Sequence, residues 1–259
     1  MTIDEQRACM EPLQMAGQLI MENGGETFRV EETITRMGRA FGLCDVECFA
    51  VPSGVFISYR LTDGSTASSV KRVHRGDTNL TRVNEVNSIS RRVEAEKLSH
   101  VDALAALRDI QARKVPAALM PWSAGLCAGG FAVMFRGGWK EFLIAFSVAA
   151  LVQLLSMLLE RLHMKNMVSV LLGSMLSTLI PMSIGAWWPV LIREAVIAGA
   201  LMPMLPGLAM TNAVQDTLRG DMVSGLSHGI QALLTAALVA GGALISSTLF
   251  RMLAGGGMQ

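Results

Sequence analysis

Residues 203–229, PMLPGLAMTNAVQDTLRGDMVSGLSHG, decide how the second half of this chain is read. They set Asn212, Asp216, Arg219, Gly220 and Asp221, with the Pro206-Gly207 pair, between two long apolar segments. Charge beside hydrocarbon is costly, and chains that keep it there usually use it. Pro and Gly at membrane depth interrupt a helix and release backbone groups able to hold a solute or an ion. Asn212 and Asp216 have the i,i+4 spacing that shares one helix face. Arg219 and Asp221 are near enough to pair or to close a gate. Two readings of the stretch stand side by side: a transport site, or a membrane-edge loop whose charges mark the interface.

A bilayer-spanning helix needs about 20 mostly apolar residues. Five segments qualify, over 115–135, 142–159, 167–188, 190–210 and 229–250, and Pro203 and Pro206 interrupt the fourth. Arg108, Arg113, Lys114, Arg161, Lys165 and Arg219 fall to one side of these spans, against Arg136, Lys140, Arg193 and Arg251 on the other. The excess of basic residues marks the cytoplasmic side, so the N-terminus is expected in the cytoplasm and, after five spans, the C-terminus outside. Trp122, Trp139, Trp187 and Trp188 sit near span ends, where indoles prefer the interface. Arg193 and Glu194 follow Trp187-Trp188-Pro189 and either rest at that interface or line a solute path. Small residues recur four apart, as Gly125/Gly129, Ser169/Gly173/Ser177, Ala195/Gly199 and Gly225/Gly229. Such rows let helices approach closely in lipid, and several of them leave room for a second subunit as well as packing within the chain.

Working back toward the N-terminus, the composition changes near Lys114. Residues 1–114 hold 15 Lys/Arg and 16 Asp/Glu, whereas residues 115–259 hold 7 and 5. The fold expected is a multi-pass α-helical membrane domain over 115–259 preceded by an α+β cytoplasmic domain over 1–114. Charge is balanced in both parts, which argues against nucleic-acid binding. Residues 1–30 carry seven charged side chains and no apolar core of the length a signal peptide needs.

In the N-terminal part, apolar positions over 5–21 repeat with helical spacing, and Asn23-Gly24-Gly25 ends that helix. A second helix over 27–41 takes Thr27 as its N-cap and Val30, Ile34, Met37 and Phe41 as its apolar stripe. Strands follow over 46–51, 55–61 and 66–73, the last two joined by an Asp63-Gly64 turn. Val55, Ile57, Tyr59 and Leu61 alternate with Phe56, Ser58 and Arg60, as a half-buried strand requires. From Leu80 to Lys114 the chain is helical again, with Leu80, Val83, Val86, Asn87, Ser90 and Val93 on one face.

Few other residues suggest chemistry. Gly24-Gly25-Glu26-Thr27 is a Gly-rich turn at a helix start, a place that either holds an anion or simply caps the helix, with Glu26 complementing the dipole. Glu31, Glu32, Arg36 and Arg39 read as a solvated face with i,i+4 pairs. Lys71-Arg72-Val73-His74-Arg75 is either a solvated strand end or a contact for anionic lipid. The cysteines, Cys9, Cys44, Cys48 and Cys127, and the histidines, His74, His100, His163 and His228, lack metal-ligand or redox spacing, so no metal or cofactor is expected. No nucleophile–base set is legible, so the chain is not expected to be an enzyme.

GGETFRVEETITRMGRAFGL with VECFAVPSGVFISY, and PGLAMTNAVQDTLRGDMVSGL, together resemble the threonine/serine exporter family along nearly the whole chain. The resemblance implies an inner-membrane exporter of a small carboxylate metabolite, succinate or threonine/serine. It also implies the larger subunit of a split version that works with a separate small membrane protein. Gly207, Asn212, Asp216, Gly220 and Asp221 carry over in the matching motif. Gln215 departs from a basic residue expected before that Asp, which bears on the charge of the preferred solute. The mechanism this suggests has freed backbone N–H groups near Pro206-Gly207 hold the carboxylate, while Asp216 or Asp221 takes up a proton in exchange. The competing class is a membrane scaffold or sensor whose cytoplasmic domain binds a partner or ligand.

Overall fold

The computed structural model describes residues 1–74, 76, 78–96, 98–113, 116–164 and 166–255. Arg75 of the basic run, Lys114 and Val115 at the expected domain boundary, Lys165 of the second basic loop and the terminal residues 256–259 lie outside them. The first elements are helices α1 (Ile3–Ala8), α2 (Met10–Glu22) and α3 (Thr27–Ala40), strands β1 (Cys44–Val51), β2 (Gly54–Arg60) and β3 (Thr66–Arg72), then α4 (Leu80–Glu96) and α5 (His100–Ala112). There follow α6 (Met120–Met134), α7 (Trp139–Arg161), α8 (Asn166–Trp187), α9 (Arg193–Leu201), α10 (Gly207–Leu218) and α11 (Met222–Gly255). Their contacts divide the chain into two compact units: Met1–Lys114 with Leu208–Gly229, and Val115–Gly207 with Ile230–Gln259.

In the first unit, the helix expected over 5–21 is two helices that meet at Cys9. Pro12 has no N–H to offer the carbonyl of Ala8, so the ladder is interrupted where α1 ends. Gly24 ends the second helix with φ +83°, a conformation few other residues accept. The three strands form an antiparallel sheet in the order β1-β2-β3. Val55, Ile57 and Tyr59 of β2 face the core while Phe56 and Arg60 face out, as the alternation requires. The core joins them to Leu13, Leu19 and Ile20 of α2, Val30, Ile34 and Met37 of α3, and the inner faces of α4 and α5. Leu80, expected on the buried face of α4, is 53% exposed, because it stands at the first residue of the helix. Asn87 is buried there with a partner, accepting the Thr33 hydroxyl at 3.1 Å.

In the second unit the helices are apolar all round, as lipid-facing helices are. Among the described residues four helices are long and apolar enough to cross a membrane, and five if the broken pair over 193–218 counts as one span. The fourth span, expected over 190–210, departs most from a single helix. α9 passes into a 3-10 turn over Met202–Met204 and stops before Pro206. Two prolines within four positions remove the donors a continuous helix needs. The last helix begins earlier than expected, at Met222, and runs 34 residues.

The small-residue rows are used within the chain. A Cβ at Gly125 would meet the Phe146 ring at 2.7 Å, and one at Gly129 the Phe142 ring at 2.8 Å. Gly199 likewise lets α9 approach the backbone of α6 at Ala128 and Ala132. Glu141, in the first turn of α7, is buried but accepts the Gly138 N–H at 2.7 Å and the Ile192 N–H at 3.2 Å. A buried carboxylate is tolerable when it is saturated by donors in this way.

Candidate functional site

The stretch that interrupts the membrane half places its polar residues against the Gly-rich turn of the first unit. Gly24 and Gly25 make that turn compact. A methyl group at Gly25 would overlap the Ile20 side chain and lie 3.0 Å from the Ile20 carbonyl oxygen. Glu26 occupies the N-cap of α3 with extended backbone but caps nothing with its side chain, which binds Arg29 at 2.6 Å. Burial pushes the Glu26 carboxyl up, but the bond from Arg29 and backbone donors hold it below its ordinary 4.5. Thr27, expected as the N-cap, is the first residue of α3 instead, and its hydroxyl is turned outward from the helix to other partners.

Those partners come from α10 and the turn after it. The Asn212 amide donates to the Gly24 carbonyl at 3.3 Å. One turn on, Asp216 faces the same way, and its Oδ1 accepts the Thr27 hydroxyl at 2.9 Å. Asp216 Oδ2 lies 2.9 Å from His228 Nδ1 on α11. Asp216 is wholly buried, and Thr27, Asn212 and His228 are each 3% exposed or less. Gly220 takes φ +90° in the turn, so α10 and α11 double back on each other. That reversal puts Asp221 beside the same hydroxyl, its Oδ2 3.2 Å from Thr27 Oγ1, while its Oδ1 accepts the Ser224 N–H at 3.0 Å and starts α11. The anion at the start of α3 is thus supplied by the chain's own carboxylates, where the helix dipole favours them.

Arg219 does not pair with Asp221. It stacks on Phe28 with the guanidinium 3.4 Å from the ring centroid, and among the described residues it has no ion pair. The left-handed turn at Gly220 points the two side chains apart. Arg219 and Phe28 form one wall of a groove of about 980 Å³ whose other lining includes Glu31, Thr35, Arg36 and Arg39. The face expected to be simply solvated therefore borders a concave surface; Arg36 keeps its i,i+4 pair with Glu32. Glu31 accepts the Ala50 N–H at 3.0 Å. Burial, and then the charges of Asp221 and Asp216, raise its carboxyl above the ordinary 4.5.

Of the residues singled out in the sequence, Gly25, Glu26, Asn212, Asp216, Arg219, Gly220 and Asp221 come together in this unit. Pro206, Gly207, Arg193 and Glu194 belong to the other unit, with Arg193 and Glu194 exposed at the start of α9. Phe28, Ser224 and His228 are candidates the sequence did not reveal, and for Thr27 it offers only the turn and the cap. Only the helical hairpin about Gly220, which sets residues before the turn beside residues after it, makes His228 a neighbour of Asp216. Among the described residues no group of three or more His, Cys, Asp or Glu is arranged to hold a metal ion.

A family profile described as "Putative threonine/serine exporter" matches residues 13–250. The chain is 27% identical over 244 residues to "Probable succinate transporter subunit YjjP" of Escherichia coli, covering 93% of this chain and 94% of that protein. It is 27% identical over 174 residues to "Threonine/serine exporter" of Corynebacterium glutamicum, covering 64% of this chain and 35% of that protein. Against "Probable threonine/serine exporter" of Mycobacterium tuberculosis it is 24% identical over 233 residues, 86% of this chain and 43% of that protein. No solved structure matches. The matched family is one of transporters, not of enzymes, and together with the apolar helices it marks the chain as a membrane protein.

Proposed function

The chain belongs to the threonine/serine exporter family, and from that premise we propose that it is one subunit of an inner-membrane exporter of a small carboxylate, succinate or threonine/serine. The observation that carries this reading is Asp216: a carboxylate with no exposure, in a stretch flanked by apolar helices, held by Thr27 and His228. A chain keeps such a group where it serves a path for solute or protons. Two supports favour a subunit rather than a complete machine. The relative matched over most of both chains is itself called a subunit, and the exporters from Corynebacterium glutamicum and Mycobacterium tuberculosis are more than twice as long as the region they share with this chain. The partner in this reading is a small membrane protein.

The N-terminal unit faces the cytoplasm in this reading, following the excess of Lys and Arg on that side, and five spans put the C-terminus outside. Solute arriving from the cytoplasm meets the groove where Arg39 and Arg219 offer charge to a carboxylate. Asp216 or Asp221 takes up the proton, with Asn212 on the same helix face, so that export is exchanged for proton entry. In the second unit, the broken backbone at Pro206-Gly207 is the proposed hold for the carboxylate. The test is uptake into everted vesicles with labelled succinate and labelled threonine side by side. Vesicles with this chain and its small membrane partner should take up one of the two, and vesicles with either protein alone should not. Equal uptake with and without this chain would reject the exporter reading.

A further inference from the structure

A hydroxyl has one hydrogen and donates to one acceptor at a time. Thr27 Oγ1 nevertheless lies 2.9 Å from Asp216 Oδ1 and 3.2 Å from Asp221 Oδ2. With both carboxyls ionised, one of these contacts is oxygen against oxygen with no hydrogen between. We propose that the cluster holds one proton shared between Asp216 and Asp221 through the Thr27 hydroxyl. This deepens the exporter reading by giving the exchanged proton a resting place and a route through Thr27, and it rests on that reading only for the proton's use in transport.

The surrounding groups decide where the proton rests. Asp216 Oδ2 lies 2.9 Å from His228 Nδ1, and with the imidazole proton placed on Nδ1 Asp216 is the acceptor on that side. Asp216 then also accepts from Thr27, and Asp221 carries the proton on Oδ2 and donates it to Thr27 Oγ1. Asp221 Oδ1 remains the acceptor for the Ser224 N–H. The transfer step balances: the Asp221 O–H bond breaks as a new Thr27 O–H bond forms, and the former Thr27 O–H bond breaks as an Asp216 O–H bond forms. One proton moves from Asp221 to Asp216, and Thr27 is unchanged.

Charges on every neighbouring element fit this arrangement. On α3, the Glu31 carboxyl accepts the Ala50 N–H, and Glu26 is occupied by Arg29. From α10, Arg219 is turned onto Phe28 rather than onto either aspartate. A second observation points to the same place. The Ser224 hydroxyl is fully buried and has no partner among the described residues, and it stands one helical turn before His228 on the same face of α11. It is a donor and acceptor left open for the proton's next move.

Infrared spectroscopy of the full chain in lipid nanodiscs tests this directly, because a protonated carboxyl has a carbonyl stretch separate from carboxylate bands. At about pH 7, where an ordinary Asp is ionised, the wild-type protein should show one such band. It should move when aspartate alone is isotopically labelled, disappear in Asp221→Asn, be lost or displaced in Thr27→Val, and persist in Thr27→Ser and Glu31→Gln. The labelled wild-type spectrum stands whether or not the variants fold. No such band, or a band that moves with labelled glutamate only, overturns the shared proton while leaving carboxylate export untouched. Absence of export with the band present would instead remove the exporter reading and keep the proton.

Discussion

Removing the Thr27 hydroxyl is the most informative single perturbation of the first unit. Valine has nearly the shape of threonine, so Thr27→Val deletes the hydrogen bonds and little packing. The hydroxyl serves a carboxylate with no exposure at 2.9 Å and a second carboxylate at 3.2 Å. A hydrogen bond to a charged group contributes about 1.5–3 kcal/mol, and an unsatisfied buried partner keeps its full desolvation cost. We expect about 2 kcal/mol of weakened anchoring of α10 on α3. All four tryptophans lie in 122–188, outside the first unit, so intrinsic fluorescence does not report this loss. Backbone amide hydrogen exchange does. At about 1.4 kcal/mol per tenfold, protection over 208–218 should fall roughly 30-fold in Thr27→Val, with α5 unchanged. Thr27→Ser should stay within a few-fold of wild type. In the double-mutant cycle with Asp216→Ala the two losses should be non-additive by about 1 kcal/mol, because both remove the same bond. Additive effects, or protection in Thr27→Val within about threefold of wild type, would show that the hydroxyl does not hold these helices together and would refute the reasoning.

Gly25→Ala should cost about 1–3 kcal/mol, since its methyl group overlaps Ile20, whereas Gly130→Ala in α6, with nothing within 4 Å of the new methyl, should be neutral; melting temperatures of the two variants compare them. Glu31 gives the pH dependence. Burial and the neighbouring aspartates raise its carboxyl in the fold, so the protonated form is favoured there and its contribution to stability is full below the ordinary 4.5 and is lost as pH rises through the higher folded value. Exchange protection of α3 should therefore decline across that window, modestly because Glu31 is only half-buried, and Glu31→Gln should flatten the profile. Arg219→Ala and Phe28→Leu should each weaken the hairpin slightly and couple by about 0.5–1 kcal/mol, the worth of an exposed cation–π contact; zero coupling in the cycle would contradict the stacking geometry.

The sequence makes some of this architecture plain and hides the rest for physical reasons. The β2 alternation and the Asp63-Gly64 turn are local signals, and the structure places those strands within two residues of expectation. Long apolar runs are equally local, which is why four spans stand out and only the one with Pro203 and Pro206 departs from a single helix. The shared face of Asn212 and Asp216 follows from helical spacing alone. Their partners do not: Thr27 lies 189 residues from Asp216, and no periodicity carries information across that distance. Read locally, Thr27 is a capping residue. Arg219 and Asp221 look like a pair because they are close in sequence, and only the positive φ at Gly220 separates them.

The central claim is that Asp216 carries protons for carboxylate export, and export by the Asp216→Asn variant tests it most directly. The carboxamide fills the same space and still meets Thr27 and His228, so a folded and membrane-inserted protein is expected. Measured in everted vesicles beside the small membrane subunit, over a range of imposed proton gradients, the variant should lose gradient-driven uptake of the carboxylate at least tenfold. Uptake equal to wild type, with an unchanged response to the gradient, would contradict the claim.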